Sequence, residues 1–245
     1  MKLDNARIIS NELIGKDVYR MILETDISKD VKCGQFVEVD VPGFFLRRPI
    51  SVCEVNENQI TLVYKVVGSG TSVMSNMQSC NVSLLGPCGT GFPVIDSEVL
   101  LIGGGVGVPP LLETAKRYKK NNQKVIVVMG FNSKEDILLE KEFKEIADEV
   151  YIATMDGSYG TKGTVLDAIC ANNVTTDFVL SCGPLPMLKA VNEKYTNGYI
   201  SLEARMACGL GACMGCVVKD INNQSLRVCK DGPVFPIGKV VLWWT

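Results

Sequence analysis

The feature that most constrains this chain is a group of four cysteines near its carboxyl end. The stretch CGLGACMGC covers residues 208–216, and a fourth cysteine follows at Cys229, which gives the spacing C-x4-C-x2-C-x12-C. This is the spacing of plant-type [2Fe–2S] proteins, in which four thiolates hold two irons. Glycines between the cysteines let the backbone come close and point N–H groups at sulfur. We therefore expect a cluster module over residues 201–245, with the ligands Cys208, Cys213, Cys216 and Cys229.

Two other uses of these thiols compete with a cluster. A structural zinc site usually has two C-x2-C pairs, and this stretch has one. Disulfides need an oxidising compartment, and the remaining six cysteines are scattered rather than spaced as a disulfide framework. The final gap of 12 residues is shorter than in a free-standing plant-type ferredoxin, which favours a module appended to other domains.

The absence of histidine excludes several kinds of chemistry. A Ser–His–Asp or Cys–His catalytic unit cannot be built, and Rieske clusters and His-ligated haem are excluded as well. A net charge of −2 gives no reason to expect nucleic acid or an anionic membrane as partner. The amino terminus has no apolar signal core, and the longest mainly apolar stretch, at 99–112, is too short to span a bilayer. We expect a cytoplasmic protein.

The pattern of the chain changes near residue 97. In residues 1–96, short runs such as QFVEVDV (35–41) and QITLVYKVV (59–67) are rich in β-branched and aromatic residues, which predicts a small antiparallel barrel. In residues 97–200, strand-like and helix-like segments alternate, which predicts a parallel sheet covered by helices. The predicted strands of this second domain lie at 98–102, 124–130, 150–155 and 177–182.

A glycine-rich turn follows the first of these parallel strands. The stretch GGGVGVPP (103–110) stands where a strand leads into a helix, so its backbone can approach a dinucleotide pyrophosphate at the helix N-terminus. We expect a nicotinamide dinucleotide at Gly103, Gly104, Gly105 and Gly107, although a glycine turn is also common as a plain connection. Cys182 follows the last predicted strand, where side chains line the ligand crevice. It either approaches a nicotinamide or is a buried, inert thiol.

Three stretches of the barrel are candidates for a flavin site. In RRPIS (47–51), Arg48 can meet a phosphate and Ser51 can donate from the same edge, or the two arginines are simply solvated. VYK (63–65) places a tyrosine and a lysine along one strand. GSGTSVMSNM (68–77) predicts a turn into a short helix, whose N-terminus either faces a phosphate or is capped by Thr71 or Ser72.

These elements, in this order, resemble the ferredoxin–NADP reductase superfamily over residues 1–200. The tail, SLEARMACGLGACMGCVVK (201–219) followed by VCKDGPVF (228–235), is similar to the electron-transfer subunits of B-type dihydroorotate dehydrogenases, and this resemblance spans the whole chain. It implies one FAD, one [2Fe–2S] cluster and exchangeable NAD(H). The residues implied for FAD are Arg48, Pro49, Ile50, Ser51, Val63, Tyr64, Lys65, Gly70 and Thr71.

The resemblance also implies a partner and a reaction. Many reductases of the superfamily have R-x-Y-S where this chain has Pro49 and Ile50, which leaves the contact with the isoalloxazine open. An FMN-containing catalytic subunit would oxidise dihydroorotate in pyrimidine biosynthesis, in a complex of two copies of each chain, and NAD⁺ would be reduced here. This fits a chain with no evident acid–base pair, because the cofactors carry the chemistry. Two alternatives stay open: a ferredoxin- or hydrogenase-linked NAD(P)H reductase subunit, and a zinc-stapled regulatory module.

Overall fold

The computed structural model describes residues 1–242, so the last three residues of the predicted cluster module lie outside the described part. Six antiparallel strands close into a barrel in the order β1-β2-β5-β4-β3-β6. Along the strand at Asn81–Cys88, buried and more open side chains alternate, so that one face fills the barrel and the other does not. The strands are β1 (Lys2–Gly15), β2 (Val18–Glu24), β3 (Phe36–Val39), β4 (Arg48–Asn56), β5 (Gln59–Lys65) and β6 (Asn81–Cys88). One helix, α1 (Ser69–Ser75), connects β5 to β6.

The second domain is a seven-stranded sheet in the order β10-β9-β8-β7-β11-β12-β15. All of its strand pairs are parallel except the last, in which β15 runs antiparallel to β12. The strands are β7 (Val99–Gly104), β8 (Val125–Phe131), β9 (Glu149–Thr154), β10 (Thr161–Lys162), β11 (Val179–Cys182), β12 (Gly198–Ser201) and β15 (Val234–Pro236). The helices are α2 (Pro110–Lys120), α3 (Glu140–Ile146), α4 (Val165–Ala171) and α5 (Leu185–Lys194). The predicted fold class, a barrel followed by an α/β domain, is confirmed.

The carboxyl-terminal region is built differently from both domains. Residues 202–216 contain no helix or strand, and a short hairpin of β13 (Val217–Lys219) and β14 (Ser225–Arg227) follows. The chain then returns to the main sheet as β15. Thr90 of the barrel ties this return in place, because its N–H donates to Gly232 O at 2.6 Å and its hydroxyl donates to Val234 O at 3.0 Å. The predicted boundaries 1–96, 97–200 and 201–245 stay a prediction.

The barrel and the α/β domain share one apolar core. Cys53, Val63 and Phe92 of the barrel region belong to the same buried cluster as Val108 and Leu112 of the second domain. The carboxyl ends of β7 and β11 consequently face the strands β4 and β5, and a cleft lies between them. Within residues 1–242, no helix combines the length and the apolar character needed to cross a membrane.

Candidate cofactor cleft and cluster loop

The cleft between the two domains collects most of the residues predicted for a flavin. Its volume is about 330 Å³, and its far wall comes from the end of β11 and the segment after β12. Eight of the nine predicted flavin residues line it: Arg48, Pro49, Ile50, Ser51, Val63, Tyr64, Lys65 and Thr71. The strands β4 and β5 and the helix α1 therefore bring three separate sequence stretches to one surface, and their role in binding a flavin stays a prediction.

The ninth residue, Gly70, leaves space for the side chain of Arg48. A Cβ at Gly70 would overlap the Arg48 guanidinium, so only glycine leaves room for it there. The guanidinium lies 4.7 Å from the centroid of the Phe44 ring, and its Nη1 donates to Leu46 O at 2.5 Å. Arg47 is turned away and donates to Ser83 O of β6 at 2.8 Å. The two arginines thus differ, and only Arg48 is placed in the cleft with donors for an anionic group.

Two hydroxyls of the cleft are already engaged within the protein. Tyr64, which is buried, donates to Asn11 Oδ1 at 2.9 Å, and the Asn11 amide donates to Met74 O and Met77 O at the end of α1. Thr71 Oγ1 accepts from the N–H of Gly68 at 3.2 Å. The residue before the helix is Gly68, so neither Thr71 nor Ser72 is the N-cap. Tyr64 therefore offers the cleft its ring rather than its hydroxyl.

The glycine-rich turn borders a second crevice, of about 430 Å³, at the carboxyl ends of the parallel strands. Gly104 and Gly105 line this crevice, and a Cβ at Gly105 would meet no atom within 4 Å. Gly103 and Gly107 do not line it. A Cβ at Gly103 would lie 2.8 Å from Val108, and one at Gly107 would lie 2.5 Å from the Cys182 carbonyl, so these two glycines serve close packing.

Cys182 lies in the wall of the first cleft, beside Val106, rather than in the second crevice. Its side chain is buried, and burial raises the pKa of the thiol to about 12. The thiol is therefore neutral at physiological pH. Although Cys182 is buried, it still lines the cleft. Glu203 and Met206 line the same cleft but were missed from the sequence. Their position in the chain could have indicated a place in the cleft, because both follow β12, and ligands bind at the carboxyl ends of the strands in such sheets.

The four cysteines of the tail fall into two environments. Cys216 and Cys229 are buried against Phe36 and Leu202, whereas Cys208 and Cys213 are partly exposed in the loop 202–216. Backbone N–H groups already point at sulfur: those of Leu210 and Cys213 lie 3.4 Å from Cys208 Sγ, and that of Cys229 lies 3.4 Å from Cys216 Sγ.

Backbone hydrogen bonds and burial also shift the pKa values of these thiols. The N–H of Cys213 lowers the pKa of Cys208 to about 6, and burial raises that of Cys229 to about 12. Thiolates that accept backbone hydrogen bonds are the environment that iron–sulfur clusters use. Among residues 1–242, no three or more Cys, Asp or Glu side chains are arranged to hold a single metal ion.

Arg227 fixes this loop to the following hairpin. Its Nη1 donates to Gly211 O at 2.7 Å, and its Nε donates to Asp231 Oδ2 at 3.0 Å. Gly209 and Gly211 have φ values of +62° and +75°, and a Cβ at either position would overlap a side chain, that of Glu38 or Lys230 respectively. Both glycines are thus required by the local backbone and by close packing, Gly209 against the barrel and Gly211 against the segment that follows β14.

Fold and sites together define a two-domain oxidoreductase with an appended iron–sulfur region. The model of the iron-sulfur cluster binding domain of dihydroorotate dehydrogenase B matches residues 203–241, and that of the oxidoreductase NAD-binding domain matches residues 101–193. The chain of the NADH-dependent reduced ferredoxin-NADP oxidoreductase, solved in work on flavin-based electron bifurcation, is 30% identical, with a TM-score of 0.88 over 97% of this chain and 90% of that one. A ferredoxin NADP+ reductase from Neisseria gonorrhoeae, 17% identical, shares the fold over 79% of this chain and 90% of its own, with a TM-score of 0.66.

Curated relatives narrow the assignment. The dihydroorotate dehydrogenase B (NAD(+)) electron transfer subunit of Fusobacterium nucleatum is 45% identical over 96% of this chain and 97% of its own length. The protein of that name from Bacillus mycoides is 42% identical over 99% of this chain and 100% of its own. This chain therefore belongs to the family of dihydroorotate dehydrogenase B electron transfer subunits. The predicted resemblance is confirmed, and so are the predicted iron–sulfur and NAD-binding character.

Proposed function

We propose that this chain carries electrons from a dihydroorotate-oxidising, FMN-containing catalytic subunit to NAD⁺ in pyrimidine biosynthesis. The observation that carries the proposal is a sequence identity of 42–45%, over nearly the full chain, to electron transfer subunits of that enzyme. When bound, FAD and a [2Fe–2S] cluster supply two-electron exchange with nicotinamide and one-electron transfer, respectively. The protein supplies position and surroundings for both.

The flavin would lie in the cleft between the domains. Arg48, for which Gly70 leaves room, is suited to the FAD pyrophosphate because it lines the cleft and its charge is opposite. The side chains of Pro49, Ile50 and Tyr64 would flank the ring system, and Ser51 and Lys65 would donate to its polar edge. This assignment is supported by the convergence of three separate stretches on one cleft.

Nicotinamide dinucleotide would use the second crevice. The open side of Gly105 lets a pyrophosphate approach the backbone at the start of α2. Gly104 borders the same space, and Gly103 and Gly107 would act by packing the turn against α2 and β11. From there the nicotinamide would reach the first cleft past Val106 and Cys182, which line its wall.

The cluster would be ligated by Cys208, Cys213, Cys216 and Cys229 and would face the catalytic subunit. Two apolar side chains beside the more open cysteines are exposed, Leu210 by 40% and Met214 by 62%. Exposed apolar surface next to a redox group suits a protein partner. The complex would contain two copies of each chain and work in the cytoplasm.

The test is reconstitution with the FMN-containing catalytic subunit. The mixture should show dihydroorotate-dependent reduction of NAD⁺, while this chain alone should reduce ferricyanide with NADH and show no activity with dihydroorotate. A chain that holds FAD and cluster but does not couple the two substrates in the mixture would refute the proposal.

A second candidate function is a ferredoxin-linked NADH reductase subunit. It is favoured by the solved ferredoxin-NADP oxidoreductase chain with a TM-score of 0.88. The same protein preparation distinguishes the two candidates, because rapid reduction of ferredoxin by NADH without any coupling to dihydroorotate would support this one.

A further inference from the structure

A buried carboxylate joins the two domains at the helix that follows the glycine turn. Glu113 lies in the first turn of α2 and is 4% exposed. Its Oε2 accepts a hydrogen bond of 2.9 Å from the backbone N–H of Val55 in β4. β4 is the strand that begins with Arg48. One side chain therefore connects the helix that starts at the dinucleotide turn to the strand that carries the candidate flavin residues.

The barrel leaves this N–H of β4 in need of a partner. β3 pairs with β4 only as far as Phe36 opposite Ser51. Beyond that point β4 pairs only with β5, and the register shifts between Val52 and Glu54. The N–H of Val55 is turned to the α2 side, where burial without an acceptor would be destabilising.

The other carboxylate oxygen of Glu113 is held as well. Arg117, one turn further along α2, donates from Nε to Glu113 Oε1 at 2.5 Å, and its Nη2 donates to Val31 O of the barrel region at 3.4 Å. Nearby, Lys116 Nζ lies 2.7 Å from Glu54 Oε1, in a more open pair with side chains 32% and 26% exposed. The Glu113 contact is thus both buried and fixed in direction.

The shared apolar core holds the domains together but does not set their relative position as finely. Apolar contact is non-directional, whereas a hydrogen bond requires a defined distance and angle. Hydride transfer needs reacting atoms about 3–3.5 Å apart, so a misplacement of about 1 Å can cost about 100-fold in rate. Because α2 starts at the glycine turn, a shift of α2 along β4 would move a bound nicotinamide relative to the flavin cleft.

We propose that Glu113 is an interdomain positioning residue, which fixes the dinucleotide turn against β4 and so sets the approach of nicotinamide to flavin. The inference rests on the proposed function. Glu113 itself does not line either the flavin cleft or the dinucleotide crevice.

The experiment uses the full chain loaded with FAD and cluster, in three variants. Glu113→Ala removes the acceptor, and Glu113→Gln keeps an acceptor oxygen without the charge. Lys116→Met is a control that removes the more open contacts of the same helix with Glu54 and Asn56 of β4. Two quantities are measured: amide hydrogen exchange at Val55, and the rate of FAD reduction by saturating NADH.

Glu113→Ala should speed exchange at Val55 and slow FAD reduction, each by about tenfold or more, with FAD content and NADH affinity close to native. Glu113→Gln and Lys116→Met should stay close to native in both.

Each other outcome counts against the inference. A native rate in Glu113→Ala would overturn it, and so would a slow Glu113→Gln whose Val55 amide is still protected. If Glu113→Ala does not fold, Glu113→Asp replaces it, since it keeps the charge but is one methylene too short to reach Val55. A native rate in Glu113→Asp with fast exchange at Val55 would also overturn the proposal. Failure of the native chain to reduce FAD with NADH would instead refute the proposed function itself.

Discussion

The flavin cleft and the cluster loop show two ways of building a redox site. The candidate flavin cleft is lined on one side by the barrel strands β4 and β5, whose backbones are paired within a closed sheet, and on the other by the end of β11 and residues 201–206. The loop 202–216 has no helix or strand, and two of its three cysteines are partly exposed. The barrel side of the cleft is therefore held by strand pairing, whereas we expect the cluster loop to depend on its ligand for much of its order.

The four cysteines of the cluster region fall into a buried pair and a more exposed pair. Cys216 and Cys229 are anchored in the core, and Val228 N–H donates to Cys216 O at 3.0 Å. Cys208 and Cys213 are not buried in the core, and their positions are set by the backbone turns at Gly209 and Gly211. Loss of a ligand from the open half should therefore disturb the loop and leave the barrel intact.

The largest expected effect is loss of the cluster from Cys213→Ala. Iron and acid-labile sulfide should fall from about two each per chain to near zero, because one ligand of four is gone. FAD content should be unchanged, since all nine candidate flavin residues lie on β4, β5 and α1 of the barrel region. Iron, sulfide and flavin assays check this, with Cys170→Ala, at an exposed cysteine outside the group, as control. Stoichiometric zinc without labile sulfide in the native protein would contradict the assignment.

A pH effect is expected where the two regions touch, at Glu38. Its buried carboxyl on β3 lies against Gly209, and one of its oxygens has no hydrogen-bond partner. Burial raises the pKa of Glu38 from its ordinary 4.5 to about 7; Arg47 and Arg48 oppose the shift, and Cys208 adds to it. Between these values the folded chain keeps a proton that the unfolded chain loses, so the free energy of unfolding falls as pH rises, by roughly 3 kcal/mol in total.

Glu38→Gln should remove this loss, because the amide is neutral and of similar size. The variant should match the native chain below about pH 4.5 and become the more stable of the two as pH rises to about 7. Thermal unfolding midpoints across this range check the prediction, with Glu12→Gln, at an exposed site, as control. A stability difference that does not change with pH would show that the carboxyl is not held in its neutral form.

Arg48→Ala should weaken FAD binding and leave the cluster spectrum unchanged. Loss of a charge-assisted phosphate contact costs about 1.5–3 kcal/mol, or roughly ten- to a hundredfold in affinity. Flavin titration of the deflavinated protein measures this, and Arg7→Ala, at an exposed pair with Glu24, is the control. Unchanged FAD affinity would mean that Arg48 is not part of the site.

The smallest effect is expected from Tyr64→Phe. The hydroxyl is used by Asn11, so its loss should cost about 1 kcal/mol of stability and change FAD affinity by less than about twofold. Tyr151→Phe removes a hydroxyl that donates to Glu149 in the other domain and serves as control. A large loss of FAD affinity in Tyr64→Phe would show that the hydroxyl, rather than the ring, faces the flavin.

Local patterns in the sequence were enough to predict the fold. The β-branched and aromatic residues of 59–67 predicted β5, and the apolar run at 98–102 predicted β7, which extends two residues further, to Gly104. The strands β12 and β15 were missed because each is only a few residues long, and β15 is separated from its partner by the whole cluster loop.

The candidate sites were predictable where residues adjacent in sequence act together. RRPIS and VYK converge in one cleft because they lie on the paired strands β4 and β5. The contacts of Glu38 and Glu113 could not be predicted, since each joins residues far apart in the chain. The glycine turn was predicted as a unit, but only the structure separates Gly105, which is open, from Gly107, which is packed.

The most direct test of electron transfer through the cluster uses Cys213→Ala in complex with the FMN-containing catalytic subunit. Two rates are compared in one preparation: reduction of FAD by NADH, and reduction of NAD⁺ by dihydroorotate. If electrons pass through the cluster, the variant keeps the first rate close to native and loses the second. A cluster-free complex that still reduces NAD⁺ with dihydroorotate at the native rate would contradict the account, because electrons would then pass between the flavins without the cluster.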